Sequence, residues 1–197
     1  FTSPASLVKL EAMGSSQSAH AGDLKELKVV VVGMPGSGAK SLVTCWTGAS
    51  EIQSKLGWQS LERSFEKIRL QLLALGSERG PWSEHIPSSD VLAFVVDGSS
   101  EFDEVAFSHA FNSALSSLPE GAPVLLLVNK VDADPDEEAT KMADSPGSVV
   151  QARCSAAAAA CSVSKSVRQC KAFLVSAKTG YGCDEVLRAM CGARLVF

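Results

Sequence analysis

The stretch Leu27-Lys28-Val29-Val30-Val31-Val32-Gly33-Met34-Pro35-Gly36-Ser37-Gly38-Ala39-Lys40-Ser41-Leu42 decides how this chain folds. The β-branched run Val29 to Val32 reads as a buried strand. It breaks at Gly33 into a loop holding three glycines, Gly33, Gly36 and Gly38, and the loop runs through Lys40 and Ser41 into the start of a helix. Glycines let successive backbone N–H groups turn inward with no Cβ in the way, the helix adds the positive end of its dipole, and a lysine meets outer phosphates. The strict phosphate-loop pattern is G-x-x-x-x-G-K-[ST]. Gly33 and Gly38 are correctly spaced, but Ala39 stands where the lysine belongs and Lys40 where the hydroxyl belongs. Either Ala39 is an insertion that leaves a working Lys40-Ser41 pair, or the loop keeps its shape and has lost its charges.

The totals narrow the class. At 197 residues, 46% hydrophobic and 20% charged, the chain suits one α/β domain with extensions. A net charge of −4 and no basic cluster argue against nucleic acid as the main partner. The six cysteines (45, 154, 161, 170, 183 and 191) contain no C-x-x-C, and His20, His85 and His109 are scattered, so zinc is not expected. The thiols read as reduced, in a cytoplasmic protein. No apolar run approaches the roughly 20 residues of a membrane span.

Along the chain, residues 1–26 form a Ser-, Ala- and Gly-rich flexible leader. Met13-Gly14-Ser15-Ser16-Gln17-Ser18 matches M-G-x-x-x-[ST], which signals myristoylation only for a chain started at Met13 and is read here as a chance match. Residues 27–197 form the folded domain. A helix is expected over Lys40 to Trp46, ended by Thr47-Gly48, and strands over Phe65 to Leu75, Val91 to Val96, Val124 to Val128 and Ala172 to Val175. Further helices are expected over Phe102 to Leu118 and Cys183 to Met190, with Gly76 to Pro81 as a break. The Ala/Ser-rich segment 143–169 is either a helix around its alanines or a disordered surface insertion. Short apolar strands alternating with helices imply a doubly wound, mostly parallel sheet with helices on both faces, of P-loop NTPase type. Ligands of such sheets sit at the C-terminal strand ends, where the Gly33 loop, Asn129 and Ser176 converge.

Two further motifs follow strands. In Asn129-Lys130-Val131-Asp132, the Asp132 carboxylate suits the two hydrogens of a guanine N1 and exocyclic amine, Asn129 can meet the base edge, and the stem of Lys130 can cover its face. In Ser176-Ala177-Lys178, the backbone of Ala177 can reach O6. Each motif is weak by itself. In register with the Gly33 loop they are strong, and Asp132 disfavours an adenine-specific kinase or ATPase.

The combination resembles the guanine-nucleotide-binding domain of the Ras superfamily, over roughly Leu27 to Met190. It looks most like the Arf-like branch and the signal recognition particle receptor β subunit, to which Trp82 and the segment Phe94 to Val105 are similar. The resemblance implies a five- or six-stranded sheet, GTP or GDP as ligand, and a switch or assembly role in membrane traffic or organelle transport. It implies that Asn129, Lys130 and Asp132 read the base, that Ser176, Ala177 and Lys178 close over it, and that the backbone of Gly36, Ser37 and Gly38 cradles phosphate. The family's D-x-x-G turn aligns with Leu73-Ala74-Leu75-Gly76, and Ser77 stands where a water-orienting glutamine often follows. No aspartate lies between Asp23 and Asp90, no threonine between Thr47 and Thr140, and no glutamine between Gln71 and Gln151. If each missing phosphate or metal partner costs about 2–4 kcal/mol in the transition state, losing two or three removes most of the hydrolysis rate. The expectation is a degenerate GTPase with no catalytic residues, GTP or GDP bound weakly or not at all, and no magnesium site. It would serve as a protein-binding subunit of a transport or assembly complex in the cytoplasm, free or at a membrane surface. The alternative is a working Arf- or Rab-like switch that uses Lys40 and Ser41.

Overall fold

The computed structural model describes residues 25–48, 59–63, 68–77, 80–99, 102–132 and 170–192. Its centre is a six-stranded sheet built from β1 (Lys25–Gly33), β2 (Gln59–Arg63), β3 (Ile68–Ala74), β4 (Val91–Asp97), β5 (Val124–Asn129) and β6 (Cys170–Leu174). The strands lie in the order β2-β3-β1-β4-β5-β6. Five of them run parallel, and β2 is antiparallel to β3 at the edge. The doubly wound, mostly parallel α/β sheet read from the sequence is the architecture of the chain.

The valine run explains why β1 is central. Successive strand side chains face opposite ways. Val29 and Val31 enter one core with Leu42, Val43 and Trp46 of helix α1 (Ala39–Thr47) and Val186, Leu187 and Met190 of helix α4 (Cys183–Gly192). Val30 and Val32 enter the other with Trp82 of helix α2 (Gly80–His85) and Phe107 and Phe111 of helix α3 (Glu104–Ser116). All four valines are fully buried, each worth about 2 kcal/mol of removed apolar surface. Phe94 of β4 anchors the second core, meeting Trp82, Phe107 and Phe111 edge-on with centroids 5.2–6.1 Å apart.

Several boundaries differ from the sequence reading. β1 starts at Lys25, inside the expected leader, whose residues 1–24 lie outside the described residues. The expected strand 65–75 is shorter, Ile68–Ala74, and is preceded by β2, a strand the apolar pattern could not signal because Gln59–Arg63 holds a single apolar residue, Leu61. The expected break at 76–81 contains the start of α2, with Pro81 in its first turn, where a missing N–H costs nothing. β6 is Cys170–Leu174 instead of 172–175. The Ala/Ser-rich segment 143–169 lies outside the described residues. Among the described residues no helix is long and apolar enough to cross a membrane.

Candidate functional site

Parallel pairing brings the C-terminal ends of β1, β4, β5 and β6 to one edge: Gly33 lies opposite Val95, Asp97 opposite Asn129, and Val128 opposite Leu174. The residues that follow these strands therefore share a crevice. Gly33 packs so closely on β4 that a Cβ there would stand 2.7 Å from the Val95 carbonyl oxygen. Gly36 and Gly38 take φ values of 74° and 84°, the left-handed region open to glycine, and shape the loop. Gly38 is the N-cap of α1, and Ala39 is the helix's first residue, with Leu42 N–H donating to the Gly38 carbonyl at 3.0 Å.

Asn129 is the brace of the site. Its side chain is buried, its Nδ2 donates to the Ser37 carbonyl at 2.8 Å, and its Oδ1 accepts from the Ala177 N–H at 3.0 Å. One amide thus ties the glycine loop, the end of β5 and the loop after β6 together. The sequence assigned Asn129 to a base edge and the Ala177 backbone to a base oxygen. The structure turns the Asn129 carbonyl and the Ala177 N–H toward each other, and a ligand oxygen at Ala177 would have to share that hydrogen.

Asp132 stands at the rim. The buried hydroxyl of Ser176 donates to its Oδ1, and Lys178 Nζ lies 3.8 Å from its Oδ2. The Ser176 hydroxyl, opposed by partial desolvation and aided by Asp132's own backbone and Lys178, holds the carboxyl below its ordinary value. It stays an acceptor at neutral pH. Ser176, expected to close over a base, gives its hydroxyl hydrogen to Asp132. Lys130 has φ 67°, the one positive φ of a non-glycine among the described residues, and its ammonium meets Asp97 Oδ2 at 2.6 Å. Gly38, Ser41, Asn129, Lys130, Asp132, Ala177 and Lys178 line a cavity of about 380 Å³, at the small end of the range for ligand pockets.

The phosphate end differs. Ala39 is 8% exposed and packs in the core with α1, so no residue is looped out between Gly38 and the helix. Lys40 is exposed and does not line the cavity, whereas Ser41 does. Gly36 is exposed and Ser37 buried. Leu73 and Leu75, aligned with the D-x-x-G turn, are 2% and 1% exposed and lie in the second core. The Trp82 indole N–H donates to the Gly76 carbonyl at 2.8 Å and ties down the turn that follows. The side chains of Leu73 and Leu75 supply no oxygen there, and no cluster of three His, Cys, Asp or Glu occurs among the described residues. At the other end of the crevice the Asp132 carboxylate offers an acceptor, and Lys130 joins it in lining the cavity.

Sequence reasoning passed over Asp97, the acidic residue that closes the apolar run of β4. Its position at a strand end was the available signal.

No family model matches the sequence, and comparison with curated protein sequences gives no match. Solved structures do match. The Arl6 BBS3 small GTPase from Trypanosoma brucei, with a bound nucleotide analogue GppNp, superposes with a TM-score of 0.60 at 20% identity, over 84% of this chain and 95% of that one. A variant of SsGBP superposes with a TM-score of 0.61 at 17% identity, over 87% of this chain and 57% of that one. The fold is that of a small G domain.

Proposed function

We propose that this chain is a degenerate, Arf-like small GTPase: a cytoplasmic interaction or assembly subunit in vesicle, organelle or ciliary transport that presents a G-domain surface to protein partners without efficient hydrolysis. The observation that carries the reading is the junction of loop and helix. Ala39 is the first helical residue and is buried, so the ammonium that should face phosphate is displaced by one position, about 100° around the helix, to the exposed Lys40. Buried Leu73 and Leu75 support it, since no carboxylate stands at the aligned turn. The base end argues against a bare scaffold: Asn129, Lys130, Asp132, Ala177 and Lys178 line an open cavity of about 380 Å³ beside Gly38, with room for a purine. Gly36 and Gly38 would offer backbone N–H groups to any phosphate, whereas the Ser37 N–H is already given to the Met34 carbonyl at 3.1 Å. In this reading guanine nucleotides bind through the base, weakly and without magnesium.

The test is binding of labelled GDP and GTP with and without magnesium, together with phosphate release. Weak, magnesium-independent binding and no turnover are expected. Tight magnesium-dependent binding with turnover would overturn the proposal.

The exposure of Ser41 to the cavity favours one other reading, an active switch working through Lys40 and Ser41. Lys40→Ala separates the two. It abolishes nucleotide affinity if the switch is active and leaves it within about twofold in the degenerate reading.

A further inference from the structure

Lys130 combines two features that need a common cause. It holds a left-handed backbone, φ 67°, which a side chain disfavours, and its long side chain is fixed at its far end. The backbone is pinned on both sides: Gly98 N–H donates to the Asn129 carbonyl at 2.7 Å just before Lys130, and Val131 N–H donates to the Val175 carbonyl at 3.4 Å just after it. A Cβ at Gly98 would stand 2.8 Å from that same Asn129 oxygen, so the approach of β4 to β5 here requires glycine.

The far end is held by Asp97. Both carboxylate oxygens are committed: Oδ1 accepts the Ser99 N–H at 2.8 Å and the Ser99 hydroxyl at 2.6 Å, and Oδ2 accepts Lys130 Nζ at 2.6 Å. Asp97's side chain is 16% exposed and Lys130's 37%. Lys130 lines the cavity and Asp97 does not. A lysine free to rotate would present a hydrated charge to that cavity. One whose ammonium is fixed outside presents its methylenes.

We propose that Asp97 is a positioning residue: by holding the Lys130 ammonium outside the cavity it turns the lysine's methylene stem into a fixed, uncharged side wall for the flat face of a purine nucleoside. The inference rests on the purine reading of the cavity given above. It deepens that reading by assigning the orientation of the Lys130 stem to a residue that does not line the cavity. Burial pushes the Asp97 carboxyl up, but the Lys130 ammonium and the two Ser99 donors outweigh burial and keep it ionised at neutral pH, as a permanent anchor must be.

The test is a double-mutant cycle read in guanosine affinity on the full chain, with Asp97→Asn and Lys130→Met. Methionine keeps an apolar stem and carries no charge to anchor. Asp97→Asn is expected to weaken guanosine binding roughly tenfold in the parent and less than twofold in the Lys130→Met background. A purely structural role would instead lower affinity equally in both backgrounds, and that result overturns the inference, as does no loss in the parent. Acetylation of Lys130 by an amine-reactive ester, mapped by mass spectrometry, reads the anchor without any ligand and should rise several-fold in Asp97→Asn. A parent that binds no guanosine while its Lys130 acetylation still rises on Asp97→Asn overturns the purine reading and the inference with it. Binding without coupling overturns the inference alone.

Discussion

Single atoms decide the site. Gly38 carries two requirements at once: φ 84° and a Cβ position 2.5 Å from Asn129 Nδ2. Gly38→Ala therefore strains the backbone and displaces the brace, and should cost about 2–3 kcal/mol, read as the shift in chemical denaturation midpoint. Asn129→Ala leaves the Ser37 carbonyl and the Ala177 N–H without their partner and should cost about 2–4 kcal/mol by the same measurement. A change under about 1 kcal/mol would mean the two loops are held by something else. Titration gives a separate check. Asp97 and Asp132 both have folded-state values below the ordinary 3.8, so each contributes stability that is fully present above about pH 4 and is lost as pH falls through the folded value. Acid unfolding of the Asp97→Asn/Asp132→Asn variant should accordingly show a shallower loss of stability below about pH 4 than the parent. The motifs themselves were legible at this scale because N-K-x-D and S-A-K each follow an apolar strand. The partners of their side chains were not, since Ser37, Asp97 and Ser176 reach them across 92, 33 and 44 residues of chain.

At the scale of elements, β3 carries the sharpest consequence. Its Leu73 extends the second core where the aligned turn of a GTPase would place a carboxylate. Leu73→Asp should therefore destabilise the chain by at least about 4 kcal/mol, because the new charge is buried without a partner. A thermal unfolding midpoint unchanged in magnesium would contradict this. A second contact joins α1 to the start of α4. Cys45 Sγ donates to Cys183 Sγ at 3.8 Å, and Cys183 Sγ lies 3.7 Å from the Ser176 carbonyl beneath the site. Burial, with Cys45 adjoining, pushes the Cys183 thiol up to about 12. In the native protein at about pH 8, iodoacetamide should alkylate Cys45 well before Cys183, with peptide mass mapping as the readout. Helices announced themselves by apolar period and buried strands by unbroken apolar runs, as with Val29 to Val32 of β1. β2 and α2 did not, because Gln59–Arg63 holds a single apolar residue and six residues of helix span under two turns, too short to show a period.

For the whole molecule, two hydrophobic layers on a mostly parallel sheet bring the loops after β1, β5 and β6 to one edge. That edge holds the cavity lined by Gly38, Ser41, Asn129, Lys130, Asp132, Ala177 and Lys178, and the glycine loop beside which Lys40 is exposed. The nucleotide experiment belongs to this scale: affinity for GDP and GTP should be similar and unchanged by chelating magnesium. A marked preference for one of the two with magnesium present would argue for the intact switch.

The order of residue types along the chain determined the fold, because a valine run covered on both faces and glycines at fixed intervals admit few arrangements of strand, loop and helix. Which hydrogen-bonding groups remain available to a ligand was decided by the tertiary structure. Parallel pairing sets Asn129 between two loops, Ser176 beneath Asp132 and Asp97 beside Lys130, and those neighbours are close in space though remote in sequence, so local pattern carries no trace of them.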